Sequence, residues 1–477
     1  MRLRQGIAGA ALFSGLLASG CKVGPNYRAP SMPAPPVFSD NGRNGSWTPA
    51  QPADAKDRGA WWQVYNDAEL DDLEQRCAKA NQDIAAALHA YEQAHALVRE
   101  DRASLFPTVS VGADASRSRV SANAPLRSGA ASYWDFLIPV DISWEPDLWG
   151  GIRRQIESTT AAAQASAADL ANTRLSLQGI LAVTYLQLRG LDLQAQLLRS
   201  TMDAYTQAAQ LTQTRFVGGL ATQSDVAQAQ AQLEATRAQL VDLGVQRQQY
   251  EHAIAVLVGA AATGFTVPEK PLTGDPPSIP TGVPSELLER RPDIASMERH
   301  IAAANAQIGV AQAALYPQVS LGATGALESA QISRLFHSES TEWSAGPSAS
   351  QILFDAGRRR ARIDIALAQR EQAAALYRQQ VLSAFRDVED QLSALRVLQE
   401  EAAVQGRAVD AARQSADLSL VRYKGGLATY LEVLTNQTIL LNDQRIAAAL
   451  VARRIVASAQ LQVALGGGWD TSQLPRN

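Results

Sequence analysis

Cysteine and methionine are scarce in this chain of 477 residues, which contains two cysteines and four methionines. Cys21 and Cys77 can form at most one disulfide, so the chain does not belong to the small disulfide-rich domains. Met202 and Met297 stand apart from each other, and no methionine cluster indicates a site for copper or silver.

Motifs for catalysis are also missing from the sequence. None of the five histidines lies in an HExxH motif, no glycine-rich phosphate loop follows a strand pattern, and no serine elbow is present. We therefore expect no enzymatic activity, no bound cofactor and no metal site.

Neither sign of charge is in large excess, because 43 basic residues face 47 acidic ones and the net charge is -4. A nucleic-acid-binding protein usually carries a basic domain or stripe. We therefore expect no nucleic-acid partner.

Long apolar runs are absent beyond the first twenty residues. A membrane-spanning helix needs about 20 consecutive apolar residues, and no run of about 18 occurs later in the chain. The sequence therefore excludes a membrane-spanning helix. Any membrane crossing would use β-strands closed into a barrel, because lipid cannot satisfy the open edge of a sheet.

The most informative feature that is present is an internal duplication. RFVGGLAT at 215–222 and RYKGGLAT at 422–429 lie 207 residues apart, and LFPTVSVGA at 105–113 and LYPQVSLGA at 315–323 lie 210 residues apart. Repeats at a fixed offset indicate two copies of one structural unit. We place the first repeat at residues 61–275, the second at 276–466 and a C-terminal tail at 467–477.

The N-terminal segment has the pattern of a secretory signal. Arg2 and Arg4 precede an apolar run at 7–17, and small residues then lead to Cys21. Small residues directly before a cysteine resemble a bacterial lipobox, in which residues 1–20 are removed and Cys21 receives N-palmitoyl and S-diacylglycerol groups. The alternative is an ordinary signal peptide with Cys21 bonded to Cys77.

Lipidation of Cys21 has consequences for the rest of the chain. Cys77 is then unpaired and is expected to be a small buried apolar residue. Lys22 follows the cysteine in place of an aspartate, and the resemblance to bacterial lipoproteins then implies sorting to the outer membrane. Residues 21–60 are rich in Pro, Ser, Asn and Gly and are predicted to form an extended tether between the lipid and the body of the protein.

Helical periodicity covers most of each repeat. Apolar residues recur at spacings of three and four in 67–103, 151–214 and 222–258, and again in 293–314, 358–420 and 429–465. The two longest patterns would reach roughly 90 Å, far more than a globular domain needs. Because many small residues allow helices to approach closely, we expect antiparallel coiled-coil packing.

Four strand patterns lie between the short and the long helices. They are 108–118 and 133–144 in a first hairpin at 108–146, and 318–328 and 342–354 in a second hairpin at 318–354. In 133–144 one face carries Asp135, Asp141 and Ser143, and the other face is apolar. The apolar face includes Trp134, Phe136, Ile138, Val140 and Ile142.

An apolar face with aromatic residues near both ends is typical of a transmembrane barrel strand. One layer of a soluble sandwich is the alternative. Four strands are too few to close a barrel, so we expect several chains to contribute and the protein to be a homo-oligomer.

Several of these segments together resemble a known family. VPSELLERRPDI at 283–294, AAANAQIGVAQAALYPQVSLGA at 302–323, the two GGLAT corners and the lipobox are similar to the outer-membrane factors of tripartite efflux pumps, the NodT-type lipoprotein branch of the TolC-like channels. The resemblance extends over nearly the whole chain from Trp61 onward.

The resemblance implies an α plus transmembrane β fold. A duplicated helical-hairpin unit would form an α-helical barrel, and each chain would add four strands to the twelve-stranded β-barrel of a homotrimer. It also implies an exit duct for drugs or other small solutes, lipid-anchored in the bacterial outer membrane and extending into the periplasm. The implied partners are outer-membrane lipid, a periplasmic adaptor (membrane fusion) protein and an inner-membrane transporter, usually of the resistance-nodulation-division (RND) type.

A periplasmic gate is implied at Tyr423, Leu431 and Glu432, with Asp225 at the matching place in the first repeat. Threefold symmetry would bring three copies of Glu432 together, and such a ring favours cations. Thr435 and Thr438 replace the Asp and Arg that the family commonly carries, so the inter-chain ion pair of some relatives cannot form. A solvated helix surface is the alternative for each carboxylate.

Two pairs of glycines mark the turns between the long helices and the helices that follow them. Gly218 and Gly219, like Gly425 and Gly426, are expected to supply tight turns that need positive φ. The resemblance implies that these tips contact the adaptor.

Two alternative functions remain at this stage. The channel could serve a metal-efflux or type I secretion system, because cargo is selected by the inner-membrane partner. A non-porous structural coiled-coil lipoprotein is the alternative from another class, and it would lack barrel strands.

Overall fold

A computed structural model of the chain describes residues 22–29, 59–123, 131–277 and 291–467. After a 3-10 turn at Trp61–Tyr65, the helices are α1 Ala68–Ala80, α2 Gln82–Ala103, α3 Gly151–Val217, α4 Gln223–Leu257, α5 Pro292–Ala313, α6 Arg358–Lys424 and α7 Tyr430–Ala464. The strands are β1 Thr108–Val111, β2 Asp114–Val120, β3 Ala131–Trp144, β4 Gln318–Ser329 and β5 Thr341–Ser350. The signal peptide, Cys21 and residues 283–290 of the family motif lie outside the described residues.

The duplication is visible in the helix lengths. α3 and α6 each contain 67 residues, α4 and α7 each contain 35, and α2 and α5 each contain 22. A helix of 67 residues is about 100 Å long. Each long helix packs against its own hairpin partner, α3 with α4 and α6 with α7, and α3 also packs along α5 and α7.

The shorter helices meet end to end beside the long ones. In the first repeat Asn81 accepts hydrogen bonds from the first turn of α2 and donates through Nδ2 to the carbonyl of Leu257, the last residue of α4. In the second repeat Arg291 precedes α5 and donates through Nη1 to the carbonyl of Ala464, the last residue of α7. Each junction satisfies a carbonyl that the helix end leaves unpaired.

The junction at Asn81 corrects the prediction of one helix over 67–103. Asn81 has extended backbone angles and caps α2, so the pattern divides into α1 and α2. Asparagine competes with helical backbone hydrogen bonds and favours N-cap positions, which explains the break.

The strands form one antiparallel sheet in the order β1-β3-β4-β5, with β2 also paired to β3. The first predicted strand, 108–118, is divided into β1 and β2 in one continuous register opposite β3. The gap lies opposite Pro139, which accepts from Gly112 but has no N–H to donate in return. The last predicted strand ends at Ser350 rather than at residue 354, because its partner β4 begins at Gln318 after Pro317.

The register assigns the two faces of the sheet. Ile142 pairs with Val109 and with Ala323, so these side chains share one face, and Trp134 stacks on Phe136 at 5.7 Å along the same face. The opposite face is polar, and Thr324 there donates to Asp141 at 2.6 Å. Apolar and polar faces alternate as expected for a strand with lipid on one side.

The main hydrophobic core surrounds the middle of α3, where α1 and the segment after α4 cover it. Leu73, Leu181 and Tyr185 are fully buried there. Cys77 lies in this core with a free thiol, as predicted.

Helix α7 is more apolar than expected from the prediction that no helix of the chain could span a membrane. By length and composition α7 could cross a membrane, since it holds an 18-residue window of mean hydropathy 1.3. α7 packs along α6 and α3, so its apolar residues are explained by contacts between helices.

The segment after Cys21 is not free to extend. Residues 22–27 lie against α3 and α5, where Val23 donates to the carbonyl of Trp149 and Tyr27 donates to Glu298. The tether prediction is therefore wrong for these residues, because buried polar groups of the helices hold their backbone. Residues 30–58 of the predicted tether lie outside the described residues.

Candidate gate at the helical tips

The two hairpin turns have the same backbone. α3 ends before Gly218 and α6 ends before Gly425, and the next glycines, Gly219 and Gly426, have φ of 75° and 74°. Gly218 and Gly425 have negative φ near −78°, so the expectation of positive φ is wrong for these two. Leu220 then donates to Arg215 and Leu427 donates to Arg422, which closes each turn.

In the first tip, Asp225 is used to cap a helix. Thr222 is the N-cap of α4, and its hydroxyl accepts from the backbone of Asp225 while the Asp225 carboxylate accepts from the backbone and hydroxyl of Thr222. This reciprocal capping box satisfies free donors at the helix start. Asp225 therefore has local partners and does not project freely from the tip.

In the second tip, the corresponding carboxylate has another partner. Glu432 accepts a hydrogen bond from Arg422 at 2.9 Å, and Arg422 also donates to the carbonyl of Leu427. Both side chains are partly exposed. The ion pair links the end of α6 to the start of α7.

A second arginine joins the two tips. Arg215 of the first tip donates through Nη1 to the carbonyl of Lys424, and its guanidinium carbon lies 4.8 Å from the centre of the Tyr423 ring. Arginine over an aromatic face is favourable by about 0.5–2 kcal/mol, depending on how well the pair is shielded from water. Arg215 thus connects hairpin α3–α4 to hairpin α6–α7.

Tyr423 lies inside the contact between the hairpins. It is 5% exposed and packs edge-to-face against Tyr430 at 5.6 Å, in a cluster that also contains Ala229 and Val433. Burial raises the pKa of Tyr430 to about 12, with a further contribution from Tyr423. The Tyr430 phenol is therefore neutral at physiological pH, and the cluster acts as an apolar contact.

Apolar side chains project from both tips. Leu431 is 58% exposed, whereas Tyr423, the other apolar residue of the predicted gate, is buried. Other exposed residues at the turns are Val217, Leu220, Val421 and Leu427. These five apolar side chains are therefore exposed around the two turns.

The threonines at the positions of the family ion pair have local partners. Thr435 donates to the carbonyl of Leu431, and Thr438 donates to that of Leu434. The sequence analysis did not predict the contacts made by the Arg215 and Arg422 side chains, each of which has its own partner. Both begin the repeated RxxGGLAT corners, so the signal was present in the motif that revealed the duplication.

The arrangement is suited to holding two hairpins together reversibly. In the described chain the cross-links at the tips include a cation–π contact, a hydrogen bond from the Arg215 side chain to the carbonyl of Lys424, and a small apolar cluster. Glu432 and Leu431 remain on the outside of this contact, where a neighbouring copy could reach them.

A family model described as outer membrane efflux protein matches residues 73–260 and 283–467. The pyoverdine export outer membrane protein OpmQ of Pseudomonas aeruginosa is 34% identical over 431 residues, covering 88% of this chain and 90% of the relative. The outer membrane protein OprJ of the same species is 31% identical, covering 97% of this chain and 96% of the relative.

Solved structures agree with these matches. The outer-membrane channel OprN has a TM-score of 0.87 and 31% identity, covering 94% of this chain and all of that one. The open state of the Neisseria gonorrhoeae MtrE outer membrane channel has a TM-score of 0.80 and 25% identity, covering 94% of this chain and 98% of that one.

Proposed function

The chain belongs to the outer membrane efflux protein family, and we propose that three copies of it form the exit duct of a tripartite efflux pump, closed at its periplasmic end by the paired helical tips. The protein is an outer-membrane efflux channel with a TolC-like fold. The trimer, its gate and its specific partners are the proposed part.

The observation that carries the proposal is the combination of a one-sided apolar sheet with helices about 100 Å long. Apolar strands have a place in lipid when their edges are closed, and three chains of this sheet would supply the strands for a barrel. The long helices then continue the wall of the duct into the periplasm.

The gate is proposed to open by separation of the two hairpins of each chain. Arg215 and Tyr423 hold the hairpins together, while Leu431 and Glu432 project outside the contact. In a trimer, three copies of Glu432 would surround the axis and attract cations. Each copy keeps Arg422 as a neighbouring counter-charge, which reduces mutual repulsion between the carboxylates.

The partners are proposed to meet the protein at these tips. The turns of Gly218–Gly219 and Gly425–Gly426 present Leu220 and Leu427 outward, which gives a periplasmic adaptor an apolar surface. An RND-type inner-membrane transporter would deliver solutes through that adaptor. No catalytic step is proposed for this chain.

The lipid anchor is proposed at Cys21, with N-palmitoyl and S-diacylglycerol groups. The support is the lipobox-like sequence and the adjoining residues 22–27, which are held against the helices next to the strands. Outer-membrane lipid would then contact both the strands and the acyl chains.

The cargo is proposed to be small organic solutes. Curated relatives are described as exporting pyoverdine, toluene and antibiotics, and the solved relatives include CusC. A metal-efflux or type I secretion role remains the alternative for this chain.

Ion conductance of the purified protein in planar bilayers tests the proposal. A trimeric channel gives discrete current steps, and substitutions at the tips change them. Protein that inserts into bilayers as a trimer and carries no current under any condition, including in tip variants, would contradict it.

A further inference from the structure

A groove between α3 and α5 is filled by the first described residues of the chain. Residues 22–27 cross from the start of α3, which belongs to the first repeat, to α5, which belongs to the second. The contacts are formed mainly with the backbone of this segment, so the groove recognises its path as well as its side chains.

Arg154 is the centre of the groove. Its side chain is 1% exposed, although arginine is almost never fully buried unless it is paired. Nε donates to the carbonyl of Val23 at 2.9 Å, and Nη2 donates to the carbonyl of Gly24 at 2.9 Å and to the side chain of Asn26 at 3.0 Å. The remaining nitrogen, Nη1, donates to Glu157 at 2.9 Å.

Further contacts fix both ends of the segment. Lys22 forms an ion pair with Glu157, the same carboxylate that receives Arg154. From α5, Asn305 donates to the carbonyl of Pro25 at 2.9 Å. Each of these bonds satisfies a polar group that the docked segment removes from water.

Glycines make the close approach possible. Gly24 has φ of 95°, and a Cβ there would lie 2.5 Å from the Cα of Gly309 on α5. A Cβ on Gly309 would lie 2.7 Å from the Cγ of Arg154. At the start of α3, a Cβ on Gly150 would lie 2.8 Å from the Cα of Lys22. Any larger residue at these positions would displace the segment or the arginine.

The duplication provides an internal comparison. At the offset of 207 that relates the long helices, Ala361 occupies the position of Arg154 in the second repeat. At the offset of 210 that relates the short helices, Arg99 occupies the position of Gly309 and His95 that of Asn305. The long helix of the second repeat therefore lacks the arginine, and the short helix of the first repeat lacks the space that Gly309 leaves for the segment. The groove is thus not a general consequence of the fold.

We propose that this groove is a dedicated binding site for Lys22–Tyr27, the residues that directly follow Cys21, and that Arg154 is its specificity-determining residue. The occupant is this chain's own segment, recognised by its backbone carbonyls and by glycine at its third position. Docking clamps α3 of the first repeat to α5 of the second directly beneath the strands.

The site also fixes the position of Lys22. Lys22 lies against Gly150, next to Trp149, which stacks on Tyr316 at 4.9 Å and donates to the carbonyl of Pro317 just before β4. Aromatic residues of this kind lie at membrane–water interfaces. The clamp thus holds Lys22 near the edge of the membrane-facing sheet.

Limited trypsin digestion of the purified full-length protein, followed by mass spectrometry, tests docking. Cleavage after Lys22 requires the segment to leave the groove, so its rate follows the open population, and Gly24→Ala or Arg154→Met should increase it about tenfold or more. Arg154→Lys should behave like Arg154→Met, because an ammonium lacks the fork that reaches several acceptors at once. Arg360→Met, at an exposed arginine in the first turn of α6, is the matched control and should digest like the wild type.

Two comparisons make the result decisive. Gly24→Ala leaves the sequences of α3 and α5 unchanged, so it still tests docking of the segment if Arg154→Met fails to fold. Adding Gly24→Ala to Arg154→Met should give no further increase, because both act on the same docking step. Cleavage of Gly24→Ala at the wild-type rate would overturn the proposal. If Gly24→Ala is cleaved faster but keeps the thermal midpoint of the wild type, the proposal that the docked segment clamps α3 to α5 is contradicted.

Discussion

Arg215 and Tyr423, which lie 208 positions apart in the sequence, form a contact between the tips of the two hairpins of one chain. Their partners by duplication, Arg422 and Phe216, make no equivalent contact: Arg422 turns to Glu432, and Phe216 is partly exposed. The tip is therefore asymmetric although the two corner sequences are nearly the same.

Removal of this contact should favour an open tip. Arg215→Ala loses a cation–π contact worth about 0.5–2 kcal/mol and a hydrogen bond from a charged donor worth about 1.5–3 kcal/mol. Because about 1.4 kcal/mol changes an equilibrium tenfold, we expect larger or longer single-channel openings. Arg237→Ala, at an exposed ion pair with Glu234 on the same hairpin, should conduct like the wild type. Equal currents in both variants would argue against a role for Arg215.

Glu432 should bind cations without contributing much to stability. Its pair with Arg422 is exposed, and exposed pairs are worth about 0–1 kcal/mol. Glu432→Gln should therefore weaken channel block by a divalent or trivalent cation on the periplasmic side while its thermal midpoint changes little. Asp225→Ala, at the same helical position in the first repeat, should lower the thermal midpoint and retain the block. Unchanged block in Glu432→Gln would mean that Glu432 is a surface residue.

The two faces of β3 should respond differently to substitution. Ile138 lies on the apolar face, where an arginine at the membrane midplane costs roughly 2–4 kcal/mol. Ile138→Arg should reduce the amount of assembled protein in the outer membrane. Asp141→Asn keeps an acceptor for Thr324 on the polar face and should assemble normally. Equal tolerance of both changes would refute the assigned faces.

Stability should fall as pH rises from 4.5 towards 9 because of Glu74. Its carboxyl is fully buried, neither oxygen has a hydrogen-bond partner in the described chain, and burial, with Asp71 nearby, raises its pKa from 4.5 to about 9. The folded chain therefore keeps this proton over a pH range in which the unfolded chain loses it. The favourable contribution is complete below pH 4.5 and is lost as pH rises towards 9.

Glu74→Gln removes this titration. The thermal midpoint of the wild type should fall between about pH 5 and about pH 8.5, and that of Glu74→Gln should fall less over the same range. Parallel curves for the two proteins would show that Glu74 does not carry the dependence.

Acylation of Cys21 is checked by labelling. Cys21→Ser should abolish incorporation of radioactive palmitate, because Cys21 is the proposed attachment site, while the strands should still insert. Persistent labelling would refute the lipobox reading, and unlabelled wild-type protein would do the same.

The sequence predicted the repeating elements well because their signals are local and periodic. Helices α3 and α6 extend three and four residues beyond the predicted ends at 214 and 420, and strand β3 ends at the predicted Trp144. The missed breaks depend on partners distant in sequence. Asn81 caps a helix against the end of α4, and the gap at Gly112 exists because Pro139 lies opposite.

The candidate site was less predictable than the fold. Nothing in the sequence separates Arg215 from Arg422, since each begins the same corner motif, and their different partners appear only when the two hairpins pack. The docked segment at 22–27 was predicted as tether from its composition. Its recognition depends on Arg154 and Gly309, which are far from it in the sequence.

The sheet of a single chain has consequences for biogenesis. It ends at β1 and β2 on one side and at β5 on the other, so two rows of backbone groups have no strand partner among the described residues. Such edges are not tolerated in hydrocarbon and tend to aggregate in water. We therefore expect isolated chains to be prone to aggregation, and the yield of inserted protein to depend steeply on the local concentration of chains and on chaperones that cover these edges.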